Sequence, residues 1–344
     1  MFADDRTGAY EVAGLVADAV GAAVTVGVGA DSDAAVVDLG TRALEVDRAV
    51  ALVRSIEDHP GLALHKIDST LRGNWAAEVR ARRLQSRRRL VLLPGWPRMG
   101  RTCVGGIVRL FDEPVGTIRD HLPEAVSIPH VAGARAWWSA GGSVAALDLP
   151  DEERVVQVAD LVAALDADRV VVAGPAGPLA AVVLAGVRAR PRAVQHAARP
   201  QVRGPVVVVC GSANEVSRRQ VQRLEVRHRE LARLGPVREL HVLATPVPSG
   251  DLEVAPSLEL AAAAHRRVDE TGAATVVLVG GETAAAYLGT EQRAVGGTIA
   301  PGVPWSRALD GGGPLVISKA GGFGGADALV DVILGERDVI GETR

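Results

Sequence analysis

The sequence predicts an α/β protein of two domains, each a mostly parallel sheet flanked by helices. Its 344 residues are enough for about two domains of roughly 150 residues each. With 48% hydrophobic and 23% charged residues, the composition is typical of a folded globular chain. Short runs of Val, Ala and Leu alternate with helix-like stretches, and continuous apolar strands between helices indicate a parallel sheet covered on both faces.

The predicted strands fall into two sets along the chain. The first set is residues 22–28, 34–39, 62–67, 90–93 and 169–173, and the second is residues 206–210, 275–279 and 315–318. Between the sets, residues 189–205 are rich in Arg, Pro and Ala without clear periodicity, which is typical of a domain boundary. We therefore expect one domain over residues 1–200 and a second over residues 201–344.

A further strand is expected at the start of the chain, leading into Asp4. Only Met1, Phe2 and Ala3 precede that residue. This first strand is therefore either abbreviated or begins upstream of Met1.

Charge and residue usage exclude several classes of function. A formal charge of −3 gives no electrostatic basis for binding a nucleic acid, and the apolar runs are far too short to span a bilayer. The chain opens without a secretory signal, and Cys103 and Cys210, its two cysteines, fit a reducing compartment. The eight histidines show no metal-ligand spacing. We expect a cytoplasmic protein without a nucleic-acid or membrane partner.

Strands of the second set run into glycine at three places, the glycine junctions, at residues 209–214, 279–283 and 317–324. The first two lead into helix-like segments, residues 215–224 and 283–288. Ligands of open α/β sheets bind at the carboxyl ends of strands, where glycine lets the backbone approach a phosphate and helix N-termini offer free N–H groups. One such junction is ordinary loop structure, but three in one domain favour nucleotide-phosphate binding.

Two familiar nucleotide-binding fingerprints are missing from these junctions. Neither Gly-x-x-x-x-Gly-Lys-Ser/Thr nor Gly-x-Gly-x-x-Gly occurs in the chain. Their absence disfavours P-loop enzymes and typical dinucleotide dehydrogenases.

Arginine supplies the ordinary surface charge of this chain, which has 36 arginines and only two lysines, Lys66 and Lys319. Both lysines lie in polar, glycine-containing segments, at residues 65–74 and 318–324. An ammonium group is a compact point charge, suited to a phosphate or a carboxylate in a tight pocket. The two lysines are therefore candidates for ligand binding. The alternative is that both are residual surface lysines.

Polar residues are also dense in three loops of the first domain, at residues 4–8, 41–42 and 66–74. The cations Arg42, Lys66 and Arg72 could bind a carboxylate. The side chains of Ser69, Thr70 and Asn74 could hydrogen-bond hydroxyl groups. The carboxylates Asp4, Asp5 and Asp68 are candidates for a general base. Together they predict a site for a small anionic polyol.

Helix capping is the alternative interpretation for part of this set. Asp5 or Thr7 could cap a helix that begins near Tyr10, and Ser69 could cap the next helix. Capping explains one residue in each loop but leaves the cations of the third loop without a role.

On these motifs the chain resembles the four-carbon acid sugar kinase family, which is related to 3-oxo-tetronate, threonate and erythronate kinases. The matching segments are residues 3–9, 38–44, 66–74, 94–102, 211–212, 219–220, 280–283, 301–304 and 319–324. They span nearly the whole chain, and the run Lys-Ile-Asp-Ser-Thr-Leu-Arg-Gly-Asn at residues 66–74 is highly specific.

The resemblance implies an N-terminal domain that binds the acid sugar, a C-terminal domain that binds ATP with Mg²⁺, and an active-site cleft between them. The implied reaction is phosphorylation of a hydroxyl group, best placed at the terminus of a tetronate or 3-oxo-tetronate. The residues implied for the acid are Asp4, Arg42, Lys66, Asp68, Ser69, Arg72 and Asn74; for ATP, Ser212, Gly280, Gly281, Glu282, Thr283, Gly321 and Gly322; and for catalysis, Asp5 and Lys319. A homodimer is a further expectation.

The chain also departs from the family pattern. Arg6 stands where Leu is usual, Ala320 replaces a usual Ser, and the region after Arg109 is shorter, with Arg119-Asp120 but without the family's following proline. Two alternatives therefore stay open. One is a degenerate member that binds ligand without catalysis. The other, disfavoured by the missing fingerprint, is an NAD(P)-dependent oxidoreductase on a similar scaffold.

Overall fold

The computed structural model describes residues 1–29, 32–57, 59–189, 200–245 and 255–335. The chain divides into two units, Met1–His196 and Ala197–Arg344. Each unit is built on a mostly parallel sheet flanked by helices, which confirms the predicted fold class. Residues 190–199, at the centre of the predicted boundary segment, lie outside the described residues.

The first unit contains a parallel sheet and a small antiparallel one. Its strands are β1 (Phe2–Ala3), β2 (Val24–Val28), β3 (Val36–Asp38), β4 (Ala63–Lys66), β5 (Arg89–Leu92), β6 (Arg101–Val104), β7 (Ile107–Leu110), β8 (Glu113–Thr117), β9 (Val126–Ile128), β10 (Val144–Leu147) and β11 (Val170–Gly174). Its helices are α1 (Arg6–Val20), α2 (Val46–Ser55), α3 (Trp75–Ser86), α4 (Ile118–His121), α5 (Val131–Ser139), α6 (Glu152–Ala163) and α7 (Ala176–Arg188). The parallel sheet has the order β2-β3-β1-β4-β11-β5-β10-β9, and β6, β7 and β8 form the antiparallel sheet.

The short strand β1 sets the position of the polar loops. It pairs in parallel with both β3 and β4, and Ala3 is level with Asp38 on one side and with Lys66 on the other. The loops that follow β1, β3 and β4 therefore leave the sheet at the same carboxyl edge, which is the edge where α/β sheets bind ligands.

The second unit has the strands β12 (Val206–Cys210), β13 (Leu240–Ala244), β14 (Thr275–Val279), β15 (Arg293–Ala300), β16 (Val303–Ala308) and β17 (Leu315–Lys319). Its helices are α8 (Glu215–Ala232), α9 (Ala255–Thr271), α10 (Gly281–Leu288) and α11 (Ala328–Ile333). The strand order is β13-β12-β14-β17-β16-β15. The first four strands are parallel, and β16 runs antiparallel to both its neighbours. Cys210, Val279 and Lys319 stand level across β12, β14 and β17.

Apolar burial stabilises both sheets. The strand residues Val206–Val209 are fully buried in the second unit, and Trp75, Leu90 and Leu92 are fully buried in the first. Each such side chain contributes about 1.5–3 kcal/mol relative to exposure. Within the part of the chain that the structure describes, no helix combines the length and apolar character needed to cross a membrane.

Some helix boundaries differ from the predicted ones, and at the start of α1 the reason is a side-chain cap. α1 begins at Arg6 rather than near Tyr10, because the Asp5 side chain accepts a hydrogen bond from the Gly8 N–H and caps the helix there. α10 begins at Gly281 instead of Thr283, and α8 continues to Ala232.

Candidate functional site

Two adjacent carboxylates at the end of β1 are held by one guanidinium group. Arg42 donates from Nε and Nη2 to the two carboxylate oxygens of Asp4, at 2.9 and 3.0 Å. Its Nη1 and Nη2 donate to the two oxygens of Asp5, at 2.8 and 2.9 Å. A planar, five-donor group is suited to this bridging geometry. The Arg42 and Asp5 positions predicted for the acid site therefore lie together, and Asp5 is also the cap of α1.

Lys66 lies beside this cluster at the end of β4. Its side chain is 4% exposed, and its Nζ is 3.9 Å from Asp4 Oδ1. The ammonium group occupies space that is open only because residue 8 is glycine. A Cβ atom on Gly8 would lie 2.5 Å from Asp5 Oδ1 and closer still to Lys66 Nζ. Lys66 is therefore a buried, enclosed cation and not a residual surface lysine.

Asp68 and Arg72 form a second ion pair in the loop after β4. Arg72 donates from Nη2 to Asp68 Oδ1 at 2.8 Å and from Nε to Oδ2 at 3.1 Å, and Thr70 donates to Oδ2 from both its N–H and its hydroxyl. Burial opposes ionisation of Asp68, but these donors and the charge of Arg42 outweigh it, so the pKa of Asp68 lies well below its ordinary value. The Arg72 side chain is 70% exposed, which leaves its outer face accessible to a ligand.

Asn74 and Ser69 differ in what they contact. The Asn74 amide donates to the carbonyl oxygens of Thr41 and Leu44, at 2.9 and 2.7 Å, and so joins the second polar loop to the third. Ser69 is half-buried and does not cap α3, whose N-cap residue is Asn74. Of Asp5, Thr7 and Ser69, the three residues for which helix capping was the alternative, Asp5 alone is a helix cap.

Arg6, one of the departures from the family pattern, has a buried partner. Its Nε donates to Asp38 Oδ2 at 2.7 Å, and both side chains are almost fully buried. Burial raises the pKa of Asp38 against the opposing effect of Arg6. Removing one partner of a buried ion pair leaves an uncompensated charge and is strongly destabilising, so we expect the unit to tolerate the loss of neither Arg6 nor Asp38 alone.

Glu11 and Arg101 belong to this site although they were not among the predicted site residues. Glu11 lies on α1 one turn beyond Gly8, is 7% exposed, and its Oε1 has no hydrogen-bond partner among the described residues. Burial raises its pKa to about 7, although Lys66, Arg101 and Arg42 favour the ionised form. The signal in the sequence is a lone acid in the apolar stretch 9–17, three residues from Gly8 and so on the same helix face.

In the second unit, backbone hydrogen bonds connect the three glycine junctions. The Gly211 N–H donates to Thr283 Oγ1 and the Gly280 N–H donates to the Lys319 carbonyl, each at 3.0 Å. Gly280 has φ +109°, and a Cβ there would lie 3.1 Å from the Ser212 Cβ. Only glycine combines this backbone conformation with so close a neighbour. The predicted residues Ser212, Gly280 and Thr283 are therefore packed together at the strand ends.

The two helices that start at these junctions differ in their free donors. The side chain of Asn214 accepts hydrogen bonds from the Val216 and Ser217 N–H groups and so caps α8. α10 starts at Gly281 with Gly280 as its N-cap residue and no side-chain cap. The first N–H groups of α10 are thus the better anion site. Glu282, also predicted for this site, is exposed in the first turn of α10.

Lys319 ends β17 with its charge buried. Its side chain is 1% exposed and its Nζ donates to the Ala320 carbonyl at 3.0 Å. Burial lowers its pKa to about 8. Within the described ranges no carboxylate lies at ion-pair distance from this ammonium group. An anionic ligand would supply the charge partner that these described residues do not.

The loop that contains Gly321 and Gly322 is fixed from α8. Gln220 Nε2 donates to the carbonyl oxygens of residues 323, 324 and 325, at 3.0, 3.1 and 2.7 Å. A Cβ on Gly321 would lie 3.3 Å from Ser212 Oγ, and Gly322 faces the Asn214 amide. Ser217 Oγ and Gln220 Oε1 are buried without a hydrogen-bond partner in the described part of the chain. Buried polar atoms are normally satisfied, so this loop has unused capacity for a polar ligand.

No cluster of three or more His, Cys, Asp or Glu side chains that could hold a metal ion occurs within the residues that the structure describes.

Comparisons with known proteins give the two units separate matches. A family model described as a sugar-binding N-terminal domain matches residues 1–122, and one described as a nucleotide-binding C-terminal domain matches residues 257–329. The chain is similar to a D-threonate kinase of Bordetella bronchiseptica, with 29% identity over 77% of this chain and 75% of the relative. The match covers more than two thirds of both chains.

Two solved structures share the fold. One is a Salmonella typhimurium LT2 protein described as a candidate tRNA synthase, with a TM-score of 0.72 and 21% identity over 96% of this chain and 97% of that one. The other is a Haemophilus influenzae protein of a domain family of unknown function, with a TM-score of 0.67 and 18% identity over 97% of this chain and 99% of that one. At these identities the likeness concerns the fold alone.

Proposed function

The chain belongs to the four-carbon acid sugar kinase family, and from this premise we propose that it is an ATP-dependent kinase acting on a four-carbon sugar acid. The acceptor would be a hydroxyl group, best placed at the terminus of a tetronate or a 3-oxo-tetronate. The similarity to a D-threonate kinase supports this substrate class.

In this proposal the first unit binds the acid. Arg72, whose guanidinium faces solvent, would bind the substrate carboxylate, and Lys66 would contact the polyol from the floor of the site. Arg42 fixes Asp5 through two hydrogen bonds, so the Asp5 carboxylate is positioned to orient the reacting hydroxyl. Ser69, half-buried beside them, is available for a further hydroxyl group.

The second unit would bind ATP. The fit is supported by the close approach at Gly280, by the start of α10 without a side-chain cap, and by the buried Ser217 hydroxyl, which has no hydrogen-bond partner among the described residues. ATP, with Mg²⁺ on its phosphates, supplies the phosphoryl group and much of the charge neutralisation that its transfer needs. Lys319 would donate to a phosphate oxygen, where its charge becomes more favourable as negative charge develops.

One observation carries this proposal. Three glycine junctions stand at the carboxyl ends of the neighbouring parallel strands β12, β14 and β17, and one of them contains the buried Lys319. Glycine lets a polyphosphate approach the backbone closely at these strand ends, and the first turn of α10, which has no side-chain cap, offers N–H groups to it.

Binding and turnover measurements test the proposal. Melting temperatures are recorded with ATP–Mg²⁺, NAD⁺, D-threonate and other tetronates, and ADP release is followed with each acid. We expect stabilisation by ATP–Mg²⁺ and by at least one tetronate, together with ADP release that depends on that tetronate. Binding of both ligands without ADP release would identify a non-catalytic member, and stabilisation by NAD⁺ alone would favour an oxidoreductase. Size-exclusion chromatography of the same sample tests the expected homodimer.

A further inference from the structure

The three carboxylates first considered as a general base are already committed to other groups. Both oxygens of Asp4 accept hydrogen bonds from Arg42. Both oxygens of Asp5 do the same, and its Oδ1 also accepts from the Gly8 N–H. Asp68 accepts from Arg72 and from Thr70. Charged donors stabilise the ionised form of a carboxyl group and so weaken it as a proton acceptor.

Glu11 is the exception among the carboxylates of this site. It is buried on α1, and its Oε1 atom is shielded from water without a hydrogen-bond partner among the described residues. Charged groups on several elements affect the pKa of Glu11 electrostatically. They are Asp5 at the cap of α1, Lys66 at the end of β4, Arg42 in the loop after β3, and Arg101 at the start of β6.

The other surroundings of Glu11 carry little charge. α7, which packs against α1, has no titratable side chain before Arg188 at its last position. Asp38, at the end of β3, is paired with Arg6. Burial, opposed in part by the site charges named above, therefore determines the ionisation of Glu11.

We propose that Glu11 is the general base of the phosphoryl transfer and accepts the proton of the reacting hydroxyl group. This assignment rests on the proposed kinase function. The hydroxyl oxygen forms a bond to the γ-phosphorus of ATP as its proton passes to the Glu11 carboxylate. The bond between the γ-phosphorus and the β,γ-bridging oxygen breaks, and ADP leaves with that electron pair. Glu11 returns its proton to water after the phosphorylated acid departs.

The ionisation of Glu11 is suited to this role. A general base is most effective when its pKa is near the working pH, and burial raises the pKa of Glu11 to about 7. Burial also raises the pKa of Asp4, but a proton there would have to displace a donor of Arg42. Asp5 keeps the orienting role given to it above.

The test compares Glu11→Gln and Glu11→Asp with the wild type and with Asp18→Asn, a carboxyl-to-amide change at an exposed position of the same helix. Steady-state rates are measured from pH 5.5 to 9 with ATP–Mg²⁺ and the best tetronate. We expect the wild-type kcat to rise with pH through about 7. In Glu11→Gln, kcat should fall about 100-fold or more, its rise near neutral pH should disappear, and KM should change little. Glu11→Asp should recover part of kcat and part of its rise near neutral pH. Asp18→Asn should match the wild type.

Thermal melts give a second readout that needs no substrate. Since burial raises the pKa of Glu11, the folded protein binds this proton more tightly than the unfolded chain, and ionising it destabilises the fold as pH rises from about 5 to 8. The melting temperature of Glu11→Gln relative to the wild type should therefore increase over that range.

Specific outcomes overturn the assignment. A folded Glu11→Gln enzyme with wild-type kcat, or one that keeps the rise of kcat near neutral pH, places the base elsewhere while leaving the kinase function intact. A melting difference that is constant with pH would show that Glu11 does not titrate in this range, which also contradicts the assignment. A wild type that phosphorylates no tetronate would instead overturn the proposed function on which it rests.

Discussion

The chain's two lysines are both buried, but their surroundings are opposite. Lys66 lies among charged groups, with Asp4 beside its ammonium and Arg42 bridging the two adjacent carboxylates. The ammonium group of Lys319 donates a hydrogen bond to the Ala320 carbonyl. The first unit balances the charge of its lysine with protein side chains, whereas the described residues of the second unit place no carboxylate at ion-pair distance from Lys319.

This difference indicates what each region is prepared to bind. A site in which cations and carboxylates already neutralise each other can fix the orientation of a polar ligand without gaining a large net charge. A desolvated ammonium without a carboxylate partner gains most from a ligand that brings negative charge. The first arrangement fits a hydroxylated acid, and the second fits a polyphosphate.

The largest effect is expected from filling the space beneath Lys66. In Gly8→Ala the new Cβ would lie 2.5 Å from Asp5 Oδ1 and closer still to Lys66 Nζ, so the cluster must shift. We expect acid binding about 100-fold weaker, which corresponds to about 3 kcal/mol, and unchanged ATP affinity, both measured by isothermal titration calorimetry.

A matched control is Gly186→Ala in α7 of the same unit, where a Cβ meets nothing within 4 Å. There the higher helix propensity of alanine should stabilise the protein by about 0.5–1 kcal/mol and leave both affinities unchanged. If Gly8→Ala binds the acid as the wild type does, the close packing of Gly8 against Lys66 is not part of the acid site.

The second effect concerns the pH dependence of ATP binding through the buried Lys319. Burial lowers the pKa of Lys319 to about 8, whereas a bound phosphate would raise it, so ATP binding should take up a proton. ATP affinity should then fall by up to about tenfold for each pH unit above 8, at pH values where phosphate groups of pKa about 6 are already ionised. Titrations from pH 7.5 to 9.5 measure this slope. A slope that is as steep in Lys319→Ala as in the wild type would assign the proton to another group.

A smaller effect is expected from the amide that fixes the third glycine junction. Gln220→Ala removes the donor shared by three carbonyl oxygens of residues 323–325. Loss of these hydrogen bonds should weaken ATP about fivefold, or about 1 kcal/mol, without affecting the acid. Arg223→Ala, one turn further along α8 in an exposed pair with Asp327, serves as the control and should bind ATP normally. Equal ATP affinity in all three proteins would mean that this loop does not contact the nucleotide.

The sequence predicted the parallel strands better than the antiparallel ones. The buried runs of β12 and β14 were placed residue for residue, because a strand covered on both faces is a continuous apolar run. β6, β7 and β8 were not predicted, because these short strands mix polar and apolar residues and contain no continuous apolar run. β15 and β16 were missed as well, although the Pro301-Gly302 turn between them is a hairpin signal.

The sequence predicted several of the residues that lie together in the polar cluster of the first unit, but it predicted neither Glu11 and Arg101 nor the hydrogen-bond partners within the cluster. Motif resemblance and residue type identified Asp5, Arg42 and Lys66, because loops after adjacent parallel strands meet at one edge. That Glu11 Oε1 has no hydrogen-bond partner among the described residues could not be predicted from the sequence, since it depends on which donors the neighbouring carboxylates take up. The depressed pKa of Lys319 likewise follows from burial in the folded unit.

The assignment of one lysine to each ligand is the central claim, and calorimetric titration of ATP–Mg²⁺ and of the acid into Lys66→Ala and Lys319→Ala tests it most directly. We expect Lys66→Ala to lose acid affinity and keep ATP affinity, and Lys319→Ala to do the reverse. Arginine at either position should restore little, because a planar fork does not fit a space shaped around an ammonium group. Loss of ATP binding in a folded Lys66→Ala protein, or normal binding of both ligands by both variants, would contradict the account.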